Sequence, residues 1–231
     1  MKAIHVTAIG SPEVLRPVEI PDPSTPPGAL RIRNRAIGVN FQDIQSRRHA
    51  EPGTELPFVP GTDFAGEVDE LGEGVEGFSV GDRVLGIHVR GAYAEKAVVP
   101  NPLAVPLPDD ISFEQAAAYP VAGPNFAQSF EMAAVGGTVV LLGRAAGDAP
   151  PETVETALLR GRRNLGLRSY FLGTSIQSQT ERLPSIYEIL FEGLTSGAIF
   201  LPIETLPLEE AVEAHARIES QATAGKVILL P

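Results

Sequence analysis

Apolar and polar positions alternate in short runs through roughly the first half of the chain. Residues 2–8, 30–39, 64–71, 83–87 and 92–99 each read as a half-buried strand. Turn chemistry separates them, at Pro21 to Gly28, Pro60-Gly61, Gly81-Asp82 and Pro100-Asn101-Pro102. Short strands at such spacing, with prolines confined to the connections, predict a small antiparallel barrel. After Pro108 the period lengthens. Ser112 is placed to cap a helix over 114–118, and Asn125 precedes another over 126–134 that ends at Gly136-Gly137. A buried-type strand over 138–143, a helix over 151–162 and a second strand over 165–172 follow. Beyond them come helices over 180–196 and 208–220 and a last strand over 226–230. Leu208, Ala211, Val212 and His215 share one face of the 208–220 helix. The whole predicts a mixed α/β chain: a β-barrel domain over 1–120, an α/β segment over 121–200, and a closing helix and strand over 201–231.

Composition narrows the chemistry. The 231 residues contain no cysteine, which removes disulfides, thiolate zinc sites and cysteine nucleophiles. A net charge of -11 repels a phosphate backbone, and the basic cluster Arg160-Gly161-Arg162-Arg163 reads as a helix end, so nucleic acid is not an expected partner. The longest apolar runs are strand-sized and no membrane span is predicted. The N-terminal residues lead straight into a strand pattern without a signal core, so a cytoplasmic location is expected. The four histidines, His5, His49, His88 and His215, show no ligand spacing, and no metal site is predicted.

Five segments carry a family likeness. Gly38-Val39-Asn40-Phe41-Gln42-Asp43, the run from Leu56 to Gly66 containing Pro60-Gly61-Thr62-Asp63, and Val80-Gly81-Asp82-Arg83-Val84 come first. Gly91-Ala92-Tyr93-Ala94-Glu95 and the run from Ala116 to Gly123 follow in order. Together they resemble zeta-crystallin-type quinone oxidoreductases and enoyl reductases of the medium-chain dehydrogenase/reductase superfamily. The resemblance implies a GroES-like barrel followed by a Rossmann-type domain. Gly137 to Gly143 is similar to a late strand of that domain, and residues 206–227 are similar to its closing helix and strand. Zinc-dependent relatives would carry a cysteine near Asn40-Phe41 and a histidine in the Gly61-Thr62-Asp63 motif; neither is present.

The likeness is interrupted at 121–126. There the resemblance implies a further helix, then a strand and the glycine turn that binds the dinucleotide, and Gly123 instead runs directly into Pro124-Asn125-Phe126. Too few βα units of ~30 residues fit into what remains. Gly72-Glu73-Gly74-Val75-Glu76-Gly77 matches the dinucleotide fingerprint letter for letter. A turn and strand follow it rather than a helix, and two glutamates would repel phosphate, so a barrel hairpin is expected.

On this reading no cofactor is expected. The leading expectation is a redox-neutral acid/base enzyme, an isomerase, dehydratase or cyclase, acting on a small hydrophobic and polyketide-like carbonyl substrate. The alternatives are an NADPH-dependent quinone or enoyl reductase, and a non-catalytic ligand-binding or scaffold protein. Candidate catalytic residues are Asn40, Asp43, His49 and Tyr93. The resemblance places Asn40 and Tyr93 at the cleft, where an amide and a phenol would donate to an enolate oxygen with a carboxylate as base. Asp43 serves equally as a cap or as a local partner of Arg47, Tyr93 as a packed barrel residue, and His49 as a solvated loop histidine. Candidate substrate-binding residues are Phe41, Arg47, Thr62, Asp63, Tyr119, Asn125 and Tyr170, with Asp63 alternatively pairing a neighbouring arginine. Residues 165–172 resemble the edge strand through which such reductases pair, and a homodimer through it is expected.

Overall fold

The computed structural model describes residues 1–49, 54–87, 91–118, 138–142, 166–170 and 180–231. The chain forms two compact units, one of Met1–Val121 with Glu181–Pro231 and one of Ala122–Thr180.

In the larger unit, β1 (Lys2–Val6) pairs antiparallel with β2 (Leu15–Glu19). A seven-stranded sheet holds β3 (Ala29–Gly38), β4 (Asp63–Leu71), β5 (Arg83–Ile87), β6 (Lys96–Pro100) and β7 (Ala104–Pro106), joined by β10 (Ile203–Pro207) and β11 (Lys226–Leu230). β3 organises it. Its full length lies against β4, while its other side is shared by β6, opposite residues 29–33, and β11, opposite Ile37 and Gly38. β10 then pairs parallel with β11. Isolated bridges from Ala3 to Ala94 and from Val6 to Phe58 tie the β1–β2 hairpin to this sheet.

The alternation read from the sequence is the alternation that buries the core. Ile4, Val6, Leu30, Ile32, Ile37, Phe64, Val68, Val84 and Val99 pack inside with Leu208, Ala211, Val227 and Leu229 of the C-terminal segment. Side chains of this size each contribute roughly 1.5–3 kcal/mol on leaving water, so the last thirty residues belong to the barrel core. Four helices are described: α1 (Phe41–Arg48), α2 (Phe113–Ala118), α3 (Leu183–Thr195) and α4 (Ala211–Glu219). Ser112 caps α2 through the Gln115 backbone N–H, with the Gln115 side chain returning to Ser112 N. α3, expected within the middle segment, groups with the larger unit.

Of the smaller unit, β8 (Thr138–Leu142) and β9 (Gly166–Tyr170) form a parallel pair with Thr138 opposite Gly166 and Leu142 opposite Tyr170. The parallel register of strands so close in sequence defines a partial Rossmann-like sheet. The helices expected over 126–134 and 151–162 lie outside the described residues.

The Gly72–Gly77 segment is the hairpin turn between β4 and β5 and opens no helix. Gly74 and Gly77 adopt positive φ, and a side chain at Gly72 would run into the carbonyl of Pro26.

Candidate functional site

A polar chain runs through the core of the larger unit. β3 ends at Gly38, and Asn40 turns the backbone into α1 from an extended conformation. Asp43 Oδ2 accepts the Asn40 backbone N–H at 2.8 Å, satisfying one orphan donor of the first helical turn. The Asn40 side chain points the other way. Its Nδ2 donates to Thr62 Oγ1 at 3.0 Å and to Asp63 Oδ2 at 2.7 Å, and its Oδ1 accepts from Lys226 Nζ at 2.5 Å. Lys226 Nζ also lies 3.4 Å from Asp63 Oδ2.

Thr62 and Asp63 reach this point because Gly61 turns with φ +99 directly before β4. A side chain at Gly61 would collide with the ring of Tyr93. Tyr93 donates its hydroxyl to Asp43 Oδ2 at 3.2 Å, and the Tyr93 hydroxyl oxygen lies 3.1 Å from His215 Nε2. Arg47 Nε donates to His215 Nδ1 at 3.3 Å, so the histidine proton sits on Nε2 and points at Tyr93. Arg47 further donates to the Gly10 carbonyl and ion-pairs with Glu219, whose Oε1 also receives Arg48 Nε at 3.1 Å.

The electrostatics follow from burial. Burial lifts the Asp43 carboxyl to about 7, the Asn40 N–H opposing and nearby Asp63 adding to the rise. Asp63 is raised by burial as well, with Lys226 the chief opposing charge. Burial raises the Tyr93 phenol, and the neighbouring Asp43 charge raises it further. His215 is lowered to about 3, by burial and then by Arg47, and stays neutral. The cluster therefore holds a neutral histidine, a phenol, a lysine ammonium and two carboxyls whose charged forms are disfavoured.

The structure brings together six of the residues singled out from sequence: Asn40, Asp43, Arg47, Thr62, Asp63 and Tyr93. Three readings change. Arg47, expected to bind substrate, is fully buried and spends its donors on Glu219, His215 and Gly10. Asp43 caps α1 and accepts from Tyr93, and its partner is not Arg47; Asp63 pairs with Lys226 rather than an arginine. Phe41 is half-buried at the first position of α1. His49 is exposed and terminates α1, with its N–H on the Gln45 carbonyl, and among the described residues no hydrogen bond joins its ring to the acid/base groups. Tyr170 closes β9, while Tyr119 and Asn125 lie outside the described residues. Lys226 and His215 were missed. His215 had been read as part of an apolar helix face, and a histidine on such a face is itself a sign of a buried polar partner.

The donor set does not suit zinc. An amide, a hydroxyl and a carboxylate already bonded to an ammonium meet at this point, and among the described residues no three His, Cys, Asp or Glu side chains converge.

A GroES-like barrel carrying a buried polar cluster and part of a parallel Rossmann-like sheet are the two folds that medium-chain dehydrogenases and reductases combine. The family described as alcohol dehydrogenase GroES-like domain matches residues 26–109, and that described as zinc-binding dehydrogenase matches residues 113–229. The chain belongs to the medium-chain dehydrogenase/reductase superfamily, in its zeta-crystallin-type quinone oxidoreductase branch. It is 40% identical over 151 residues to a quinone oxidoreductase of Pseudomonas aeruginosa, covering 63% of this chain and 46% of that one. A rat quinone oxidoreductase is 35% identical over 176 residues, covering 72% and 52%. The chain thus spans about half the length of these curated relatives. Among solved structures, a mycobacterial protein complexed with NADPH aligns over 100% of both chains with 28% identity and a TM-score of 0.82. A mycobacterial quinone oxidoreductase aligns over the same extent with 26% identity and a TM-score of 0.80.

Proposed function

We propose that this chain is an oxidoreductase of the quinone-reductase kind, acting on a small hydrophobic quinone or conjugated carbonyl with NADPH. The observation that supports this most is the end-to-end likeness, at 28% identity, to a structure solved with NADPH. The comparisons give no support to the redox-neutral isomerase, dehydratase or cyclase step expected from the shortened middle of the chain, and the reductase reading replaces it.

NADPH, when bound, supplies a hydride. Among the described residues the element of the kind that seats a dinucleotide is the parallel pair β8–β9, whose carboxyl ends fall at Leu142 and Tyr170. The described residues contain no glycine turn opening a helix after these strands. The N-terminus of α1 is closed by its own Asp43. The pyrophosphate seat is therefore not built from described residues. What the larger unit contributes is the substrate wall. Asn40, Thr62 and Lys226 form the end of the polar chain that retains a trace of solvent exposure, at 4%, 6% and 7%, while Asp63, Tyr93, Arg47 and His215 have none. A carbonyl oxygen approaching that end meets an ammonium in a dry wall, the setting in which developing negative charge is best stabilised. A homodimer formed by edge pairing of β9 accompanies this reading, since β9 has no second strand neighbour among the described residues.

Calorimetric titration with NADPH, followed by its oxidation in the presence of a simple naphthoquinone, tests the proposal. Micromolar binding with quinone-dependent turnover supports it. Absence of both overturns it.

A further inference from the structure

We propose that Lys226 is a positioning residue of this site, holding the Asn40 amide in a single orientation and supplying a fixed positive charge beside it. The inference rests on the reductase reading for its catalytic consequence and on geometry alone for the positioning.

Lys226 opens β11, where Val227, Ile228 and Leu229 are all buried. An apolar side chain would suit that place, and a buried ammonium carries a desolvation cost unless it is closely partnered. Its partners are specific. An ammonium has three donors and no lone pair, so the Asn40 atom at 2.5 Å is Oδ1 and the amide has one allowed flip. The two Nδ2 hydrogens are then turned to the acceptors Thr62 Oγ1 and Asp63 Oδ2. The backbone is shaped for this contact. A Cβ at Gly38 would lie 3.1 Å from Lys226 Cε and 3.2 Å from Asp63 Cβ and would run into the Ala117 carbonyl. Asp63 Oδ1, buried, has no hydrogen-bond partner among the described residues, and its other oxygen is held by Lys226 and Asn40.

The groups facing Lys226 are Asn40 of the β3–α1 turn and Asp63 of β4, with Thr62 and Asp43 one bond further along the chain. Without Lys226, Asn40 regains its second flip and Asp63 loses its counter-charge. On the reductase reading the oxygen that gains negative charge during hydride arrival then loses a preorganised positive neighbour. Such a loss lowers kcat more than it raises KM.

Two variants of the full chain, Lys226→Met and the charge-neutral pair Asp63→Asn with Lys226→Met, test this. The pair removes both buried charges together and keeps a folded protein available if the single variant unfolds. The first readout is the side-chain amide of Asn40 by nitrogen-15 NMR, identified by its disappearance in Asn40→Asp. In the parent protein it gives one protected pair of hydrogens. In whichever variant folds it shifts and exchanges with water at least roughly tenfold faster. An unmoved, equally protected amide overturns the positioning role, whatever the activity of the protein. The second readout applies when the parent turns over quinone. kcat falls by about 100-fold with KM within about threefold, and NADPH affinity holds. A folded variant retaining full kcat overturns the catalytic consequence. A parent without quinone turnover removes the reductase reading and leaves the amide result to decide the positioning.

Discussion

Replacing Arg47 by methionine tests the polar chain at a fully buried charge. The guanidinium is fully buried and binds Glu219, His215 Nδ1 and the Gly10 carbonyl. Methionine fills most of the volume, so the loss is chiefly electrostatic. Removing one partner of a buried ion pair costs about 3–5 kcal/mol. Glu219 keeps Arg48 at 3.1 Å and is 15% exposed, which pulls this contribution to the lower end. The Gly10 carbonyl and His215 Nδ1 are then left short of a donor, each costing about 1–3 kcal/mol where water does not reach. A total of about 5 kcal/mol follows from the lower ends of these ranges, equivalent to roughly 10–20 °C in Tm for a domain of this size. Urea unfolding of Arg47→Met, Glu219→Gln and the double variant gives the value and its coupling. The double variant is expected to fall short of the sum of the singles by about 1–3 kcal/mol. A loss below about 1 kcal/mol in Arg47→Met, or strict additivity, would refute the account of a desolvated pair.

Two further outcomes follow. Asp43 is raised from 3.8 to about 7, so the folded state holds its proton more tightly; this contribution is full below about 4 and is lost as pH rises through about 7. His215 is lowered from 6.5 to about 3, so its contribution is full above 6.5 and is lost as pH falls toward 3. Between about 4 and 6.5 the two slopes oppose each other. Relative to the parent, Asp43→Asn is expected to gain stability with rising pH across that window and His215→Gln to lose it, measured by urea midpoints in a buffer series; parallel profiles for all three proteins would contradict the assignments. Edge pairing of β9 predicts a dimer in sedimentation velocity, and a stable monomer at micromolar concentration would remove it.

The barrel was largely legible from sequence because its strands are bounded by glycine and proline and each buries one face. α1 was not. The run Phe41–Arg48 places Asp43 and Arg47 inside along with Ile44, so its buried side is too polar for an apolar stripe to show. The local sign was the Asn40-x-x-Asp43 spacing at a strand end, a helix-start pattern. The short strands β2, β7 and β10 also escaped notice: Pro17 interrupts the first, and the others span three and five residues beside turns. Most of the candidate cluster was readable because Asn40, Asp43, Thr62, Asp63 and Tyr93 sit in the family-like motifs of the first half of the chain. Lys226 and His215 meet Asn40 and Arg47 across 186 and 168 residues, and no local pattern encodes a contact of that separation. The dinucleotide decoy at Gly72–Gly77 was correctly read because the residues after it cannot start a helix.

The sharing of one flank of β3 between β6 and β11 has a consequence for biosynthesis. While the chain is still emerging from the ribosome, Ile37 and Gly38 present bare amides and carbonyls until Ile228 and Leu229 have been translated. The nascent barrel therefore carries a gap in its wall through most of its synthesis, and an incomplete translation product would expose a sticky flank to its neighbours.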